Sequence, residues 1–175
     1  QPALQPLFTE FAPELPMREI ISDPVELYEA FRRTTLRRAG TLGLEALTLQ
    51  LAAMPQVLCV INRRKTGQDL FNALPAVGCD CLTTLLCPAH RKALLKEIRQ
   101  RLAAGSPCRV ISTSLIEAGV DVDFPAVYRE LAGLDSILQA AGRCNREGKH
   151  PAAEIVVTVF ALEGLGVPSM IRLNA

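Results

Sequence analysis

Hydrophobic positions in this chain fall in short blocks divided by prolines, glycines and charged turns, and the period inside the blocks keeps switching. Val57-Leu-Cys-Val-Ile61 is a continuous apolar run of strand length, the pattern of a parallel strand buried on both faces. Leu82 to Leu86, Arg109 to Thr113 and Ala126 to Leu131 read as further strands, and Glu154 to Phe160 closes the series with an apolar one. Phe31 to Arg38 is a weaker strand that mixes β-branched residues with arginines. Between these runs the spacing turns helical. Leu44, Leu47 and Leu51 mark a helix over 42–54 that Pro55 ends, and Lys65 to Leu74 gives a second, stopped by Pro75. Pro88 to Ala104 carries Leu94, Leu95, Ile98 and Leu102 on one face, opens on proline and has Gly105 just past its end. A last helix is predicted from Ser136 to about Glu147, with Ser136-Ile-Leu-Gln139 as a capping box and Gly148 as its stop.

Strands alternating with helices predict βαβ units, hence an α/β domain of three layers: a mostly parallel central sheet covered by helices on both faces. Residues 1–25 hold Pro2, Pro6, Pro13, Pro16 and Pro24 and read as a connector, which leaves 26–175 as the domain. At 175 residues and 49% hydrophobic content the chain can bury a real core, which excludes a disordered tail. The net charge of +1 excludes a strong global field for nucleic acid, so any polyanion contact must be local.

Of the six cysteines, Cys59 and Cys108 sit inside apolar strand runs and read as small core residues. Cys79-Asp-Cys81 has no second pair at zinc-ligand spacing, and the two histidines are His90 and His150, so no metal site is expected. No apolar stretch is long enough to span a bilayer and no export signal precedes the domain, so the expectation is no membrane contact, free thiols and the cytoplasm. The proline-rich start and the abrupt end read as cuts from something longer.

In an open parallel sheet, ligands gather at the carboxyl ends of the strands. Three loops therefore carry the candidate chemistry. Asn62-Arg-Arg-Lys65 follows one strand, Ser112 to Asp123 follows another, and the third leads to Gln139. Gln139, Arg143 and Arg146 stand four and three apart, which on a helix gathers them on one face, and Gly142 leaves that face open to another molecule. Two guanidiniums there suit the oxygens of a phosphate chain; the competing reading is a solvated basic helix end. Thr113 and Ser114 offer hydroxyls to a nucleic-acid phosphate. Gly119 permits a tight backbone path, and Asp121 and Asp123 can accept from a ribose hydroxyl or hold an arginine of the next helix; the competing readings are two exposed turn aspartates or a metal pair, against which the lack of a nearby histidine or further carboxylate stands.

Together these residues resemble a known family. Val57 to Asn62, Ser112 to Phe124 and the Q-x-x-G-R-x-x-R form of Gln139 to Arg146 are similar to motifs IV, V and VI of superfamily 2 helicases. Cys87-Pro-Ala-His-Arg-Lys92, Glu117 to Pro125, Leu131 to Ile137 and Ala141 to Gly148 resemble, more narrowly, the CRISPR-associated helicase–nuclease of type I systems. General RNA helicases usually end motif VI in G-R-x-G-R, where this chain has Cys144-Asn145-Arg146. The resemblance covers residues 55–160 and implies a second RecA-like domain.

What it implies further is a role in an ATP-dependent single-stranded DNA translocase that works with a guide-RNA surveillance complex in antiviral defence. ATP and Mg2+ would be shared with a first RecA-like domain, because this sequence contains neither G-x-x-x-x-G-K-[ST] nor a D-E-x-H string, and an HD nuclease domain would be a further partner. The isolated chain is then expected to be inactive. By resemblance Arg146 is the arginine finger, Arg143 touches the same phosphates or steadies the finger, and Gln139 couples ATP to the domain interface. Gly119 and Asp121 lie at the ribose, while Asn62, Arg64, Thr113 and Ser114 meet the DNA backbone. The alternatives weighed are a RecA-like module that only docks partners, which has no need of an arginine pair, and a general superfamily 2 RNA helicase domain, against which the Cys144-Asn145 wording stands.

Overall fold

A strand that is apolar at every residue needs neighbours on both edges and cover on both faces, and that requirement organises the fold. The computed structural model describes residues 23–113 and 120–164. The chain divides into two units at Arg32 and Arg33. In the first, α1 (Pro24–Ala30) begins where Asp23 Oδ1 accepts hydrogen bonds from the N–H groups of Val25 and Glu26, each at 3.0 Å. Proline at the first helical position suits that cap, so Pro24 and Val25, expected in a connector, belong to a helix.

The second unit holds β1 (Thr35–Leu42), α2 (Leu44–Ala52), β2 (Gln56–Val60), α3 (Arg64–Ala73), β3 (Cys79–Leu82) and α4 (Pro88–Ala103). After these come β4 (Cys108–Ser112), β5 (Val127–Glu130), α5 (Leu134–Ala141) and β6 (Val156–Leu162). The six strands form one sheet in the order β1-β6-β5-β2-β4-β3, with every pair parallel. Alternation along β2 separates the two cores. Val57, Cys59 and Ile61 face Leu47 and Leu51 of α2, Leu70 of α3, Tyr128 and Phe160. Leu58 and Val60 face Ile98 of α4, Ala140 of α5, Val127 and Val157. The expected three-layer architecture is the one that forms, and Cys59 and Cys108 are core residues as their apolar runs implied.

Two elements differ from the pattern. The strand expected over 82–86 lies instead at Cys79–Leu82, where Cys79 pairs with Arg109 and Leu82 with Ser112. Beyond Leu82 there is no more of β4 to pair with, so the chain turns, with Leu86 N–H bonded to the Thr83 carbonyl at 3.2 Å and Leu85 left 75% exposed. Gly78, in the turn before β3, is left-handed at φ 71°, and a Cβ there would stand 2.5 Å from the Pro107 carbonyl oxygen, so only glycine fits.

The last helix is the second difference. It starts at Leu134 on Gly133 and stops at Ala141, so Ser136 lies inside the first turns and no capping box forms. Its end tightens: Gly142 N–H still reaches back four residues to Leu138, but Arg143 and Cys144 bond only three back, to Ala140 and Ala141. Asn145 then turns left-handed at φ 49°. What overrides the helical period is a parallel bridge between Phe124 and Cys144, with Phe124 N–H to the Arg143 carbonyl at 2.8 Å and Asn145 N–H to the Phe124 carbonyl at 3.2 Å.

Candidate functional site

The sequence-predicted residues separate onto two edges of the sheet. At the carboxyl edge stand Asn62 after β2, Arg64 at the start of α3, and Thr113 after β4. Ser114 and Gly119 lie outside the described residues. Arg64 is exposed. Thr113 is buried, and its Oγ1 has no hydrogen-bond partner among the described residues.

Asn62 is committed to the protein. Its carboxamide donates to the Leu131 carbonyl at 2.9 Å and accepts from Arg129 Nη1 at 2.7 Å, while its backbone N–H donates to Glu130 Oε2 at 2.7 Å. Arg129 and Glu130 are both buried, and Arg129 also reaches the Glu130 carbonyl at 2.8 Å. The loop after β2 is thereby tied to the loop that opens α5. Sequence reasoning passed over Arg129 and Glu130, though two charged residues at the end of an otherwise buried run were a visible signal.

The arginines do not lie at that edge. After β5 the chain reverses into α5, which carries it back across the sheet to the level of Phe124, three residues before β5 begins. Arg143 and Arg146 therefore stand toward the amino ends of the strands: the loop that leads to Gln139 opens at the carboxyl edge as expected, but the arginines beyond it do not lie there. Gln139 sits exposed on the last turn of α5. The single helix face proposed for Gln139, Arg143 and Arg146 is not formed either, because the left-handed residue between the arginines ends the helical period. Gly142 has ordinary helical geometry, and a Cβ there would only touch its own helix at 3.4 Å, so its backbone does not demand glycine.

What brings the arginines together is the turn, and Asp121 with Asp123 completes it. Arg146 Nε lies 3.3 Å from Asp121 Oδ1, an ion pair with the two side chains 44% and 77% exposed. An exposed pair of this kind is worth about 1 kcal/mol or less, so Arg146 can leave it at little cost. Burial, and after it the nearby charge of Arg146, lowers the pKa of Arg143, while Asp121 acts in the opposite sense; a guanidinium stays protonated through such a shift. Asp123 holds the backbone: Oδ1 accepts from Arg146 N–H at 2.7 Å and Oδ2 from Glu147 N–H at 3.4 Å. Arg99, on α4, donates from Nε to the Asp121 carbonyl at 2.7 Å. A cleft of about 350 Å3 opens behind the turn, bordered by Gln56, Arg99, Leu102, Asp121, Phe124 and His150, and it keeps the Asp121 carboxylate in solvent. Of the uses open to these aspartates, Asp121 holds an arginine side chain and Asp123 the backbone beside it.

The profile of a family described as CRISPR-associated nuclease/helicase Cas3, C-terminal, matches residues 54–149, which include both arginines, Asn62, Thr113 and Asp121. The chain belongs to this family. The CRISPR-associated nuclease/helicase Cas3 of Haloferax volcanii is 42% identical over 101 residues, which are 54% of this chain and 11% of that protein. The chain thus spans about a tenth of the length of this curated relative. Among solved structures, T. fusca Cas3-ATP superposes with a TM-score of 0.62 at 17% identity, covering 89% of this chain and 20% of that one. The Mycobacterium smegmatis helicase Lhr bound to ssDNA and AMP-PNP gives 0.55 at 14% identity, over 73% of this chain and 20% of that one. The fold is RecA-like, in the form that helicase domains of this family share.

Proposed function

We propose that this chain is the second RecA-like domain of an ATP-dependent single-stranded DNA translocase, which works with a first RecA-like domain, an HD nuclease domain and a guide-RNA surveillance complex against invading DNA. The observation that carries the reading is the turn that sets Arg143 and Arg146 together beside the exposed carboxylate of Asp121, which Arg146 can leave at little cost. Two guanidinium donors and one exchangeable carboxylate acceptor fit a phosphate chain with an attached ribose. Family membership and the nucleotide and ssDNA named for the structural neighbours support it.

ATP with Mg2+, shared with the first domain, supplies the phosphoanhydride whose hydrolysis drives movement. This chain's residues bind and orient. Arg146 leaves Asp121 and presents its planar fork to the terminal phosphate oxygens, where negative charge grows as the bond breaks. Arg143 adds a second fixed charge beside it. Asp121, released, accepts from a ribose hydroxyl, and the family resemblance assigns Gly119 to the same ribose. Gln139, on the last turn of α5, carries the state of the nucleotide to the domain interface. At the other edge Thr113 and Arg64 meet phosphates of the strand, a role that the family resemblance gives to Ser114 as well, and Asn62 holds the shape of the loop that presents Arg64.

In the full-length protein, Arg146→Ala should lower DNA-stimulated ATP hydrolysis by about 10³-fold or more. Affinity for single-stranded DNA should stay near wild type, since Arg146 and the strand-facing residues occupy different edges of the sheet. Arg146→Lys should not restore turnover, because an ammonium lacks the fork. The chain by itself should show no turnover above its own Arg146→Ala control. Wild-type ATPase in full-length Arg146→Ala, or DNA affinity lost in step with it, overturns the reading.

A further inference from the structure

The two arginines are separated by Cys144 and Asn145, and the surroundings of Asn145 give a reason for it. Asn145 is 2% exposed although it is polar and lies in a surface turn. Its backbone is left-handed, at φ 49°, and it is the only non-glycine residue among the described ones with positive φ. Asparagine and glycine tolerate that region, whereas a residue with an ordinary Cβ loses roughly 1–2 kcal/mol there. The G-R-x-G-R form of general helicases has its second glycine at this same place, so both wordings fit one backbone shape.

Asparagine adds something glycine cannot. Nδ2 donates to the Arg33 carbonyl and the His150 carbonyl, both at 2.8 Å, and Oδ1 accepts from His150 N–H at 3.1 Å. The carboxamide thus ties the turn to the lead-in of β1 and to the segment that heads for β6. The next residue is held on both sides: Asp123 takes Arg146 N–H at 2.7 Å, and the Arg33 guanidinium donates to the Arg146 carbonyl. The Arg146 backbone is therefore fixed while its side chain stays half-exposed and exchangeable. A residue that must reach a phosphate in one geometry, yet let go of a carboxylate first, needs that combination.

We infer that Asn145 is the positioning residue of the arginine pair, acting with Asp123 as a clamp on the turn that aims Arg146. The inference rests on the proposed role of Arg146 in ATP hydrolysis and assigns what keeps that role in register. A buried asparagine that served stability alone would change the melting temperature and leave all nucleotide states equally bound.

The test uses the full-length protein with Asn145→Gly, which keeps the left-handed backbone and removes the clamp. The kcat for DNA-stimulated ATP hydrolysis should fall about 10–100-fold, the scale of a misplaced catalytic group, while KM for ATP and affinity for ADP stay unchanged. Affinity for ADP–aluminium fluoride, which mimics the charge of the transition state, should fall with kcat. Asp123→Ala, which leaves the three Asn145 bonds in place, should lower kcat in the same direction and serves if Asn145→Gly does not fold. Wild-type kcat in either folded variant, with Arg146→Ala inactive, overturns the clamp and leaves the finger standing. Equal losses for ADP and ADP–aluminium fluoride also overturn it. Wild-type turnover in Arg146→Ala instead removes the reading on which the clamp rests.

Discussion

A hydroxyl buried without a partner costs about 1–3 kcal/mol of lost hydration, and Thr113 Oγ1 is in that position among the described residues. Its place after β4, where a DNA phosphate is proposed to lie, gives the cost a use. Thr113→Val keeps the shape and removes the hydroxyl. In urea unfolding of this chain the variant should be as stable as wild type or more stable by about 1 kcal/mol. In the full-length protein the same variant should bind single-stranded DNA more weakly. A clear loss of stability would mean that the hydroxyl has an internal partner and no call on a ligand. At this scale the sequence announced the residues whose chemistry shows in their type: Thr113, Asp121, Arg143 and Arg146. It hid the ones whose importance lies in what they hold. Two charges closing a buried run marked Arg129 and Glu130 as unusual, but nothing in their letters, or in that of Asn145, tells that these side chains reach Asn62 and the Arg33 carbonyl far along the chain. Only a left-handed turn between two arginines could have pointed to Asn145, and glycine in related wordings was its one written trace.

Strands β2, β3 and β4 each carry a buried cysteine, and a fourth follows α5. Burial pushes the thiols of Cys79 and Cys108 up to about 11 and that of Cys144 to about 12, and raises Cys59 further still. Below the unfolded thiol value of about 8.5 both states hold these protons, and stability does not depend on them. Above it the unfolded chain loses protons first, so the folded state loses ground as pH rises, until its own thiols titrate. Each thiol contributes up to about 1.4 kcal/mol per pH unit in that window. Urea unfolding under reducing conditions should therefore show stability falling steeply from about pH 9 upward. Equal stability at about pH 7 and pH 10 would show that the cysteines ionise as freely inside the fold as outside. The element pattern itself was legible where one force dominated: prolines ended α2 and α3, and an unbroken apolar run marked β2. It failed where tertiary pairing decided. The end of β4 cut β3 short at Leu82, and the Phe124–Cys144 bridge stopped α5 before its amphipathic period had run out.

For the whole chain the governing quantity is a net charge of only +1. Exposed cations do stand at the carboxyl edge, at Arg63, Arg64 and Lys65, but Lys65 is paired with Asp69 at 3.1 Å. With two or three phosphates contacted, the logarithm of the affinity for single-stranded DNA should fall with a slope of about −2 against the logarithm of salt concentration. Titration of fluorescent oligonucleotides of several sequences measures it. Weak binding without sequence preference is the expected outcome. A slope near −5, or a strong preference for one sequence, would mean a wider or differently placed track than the loops after β2 and β4 provide.

Among the described residues, β1 has β6 as its one neighbour in the sheet: Arg37 and Thr158 meet across 121 positions. A ribosome releases these partners well apart in time. Until β6 has emerged, β1 has no ladder to join, and its exposed Arg37 and Arg38, with the register shift before Gly40, discourage a wrong one. The Arg33 carbonyl that anchors Asn145 lies just ahead of β1, and the His150 groups that share the anchor lie just ahead of β6. An unfinished chain can thus assemble the middle of its sheet while the turn beneath Arg146 stays unfastened. The part of the domain proposed to meet ATP becomes whole only when synthesis of the domain is complete.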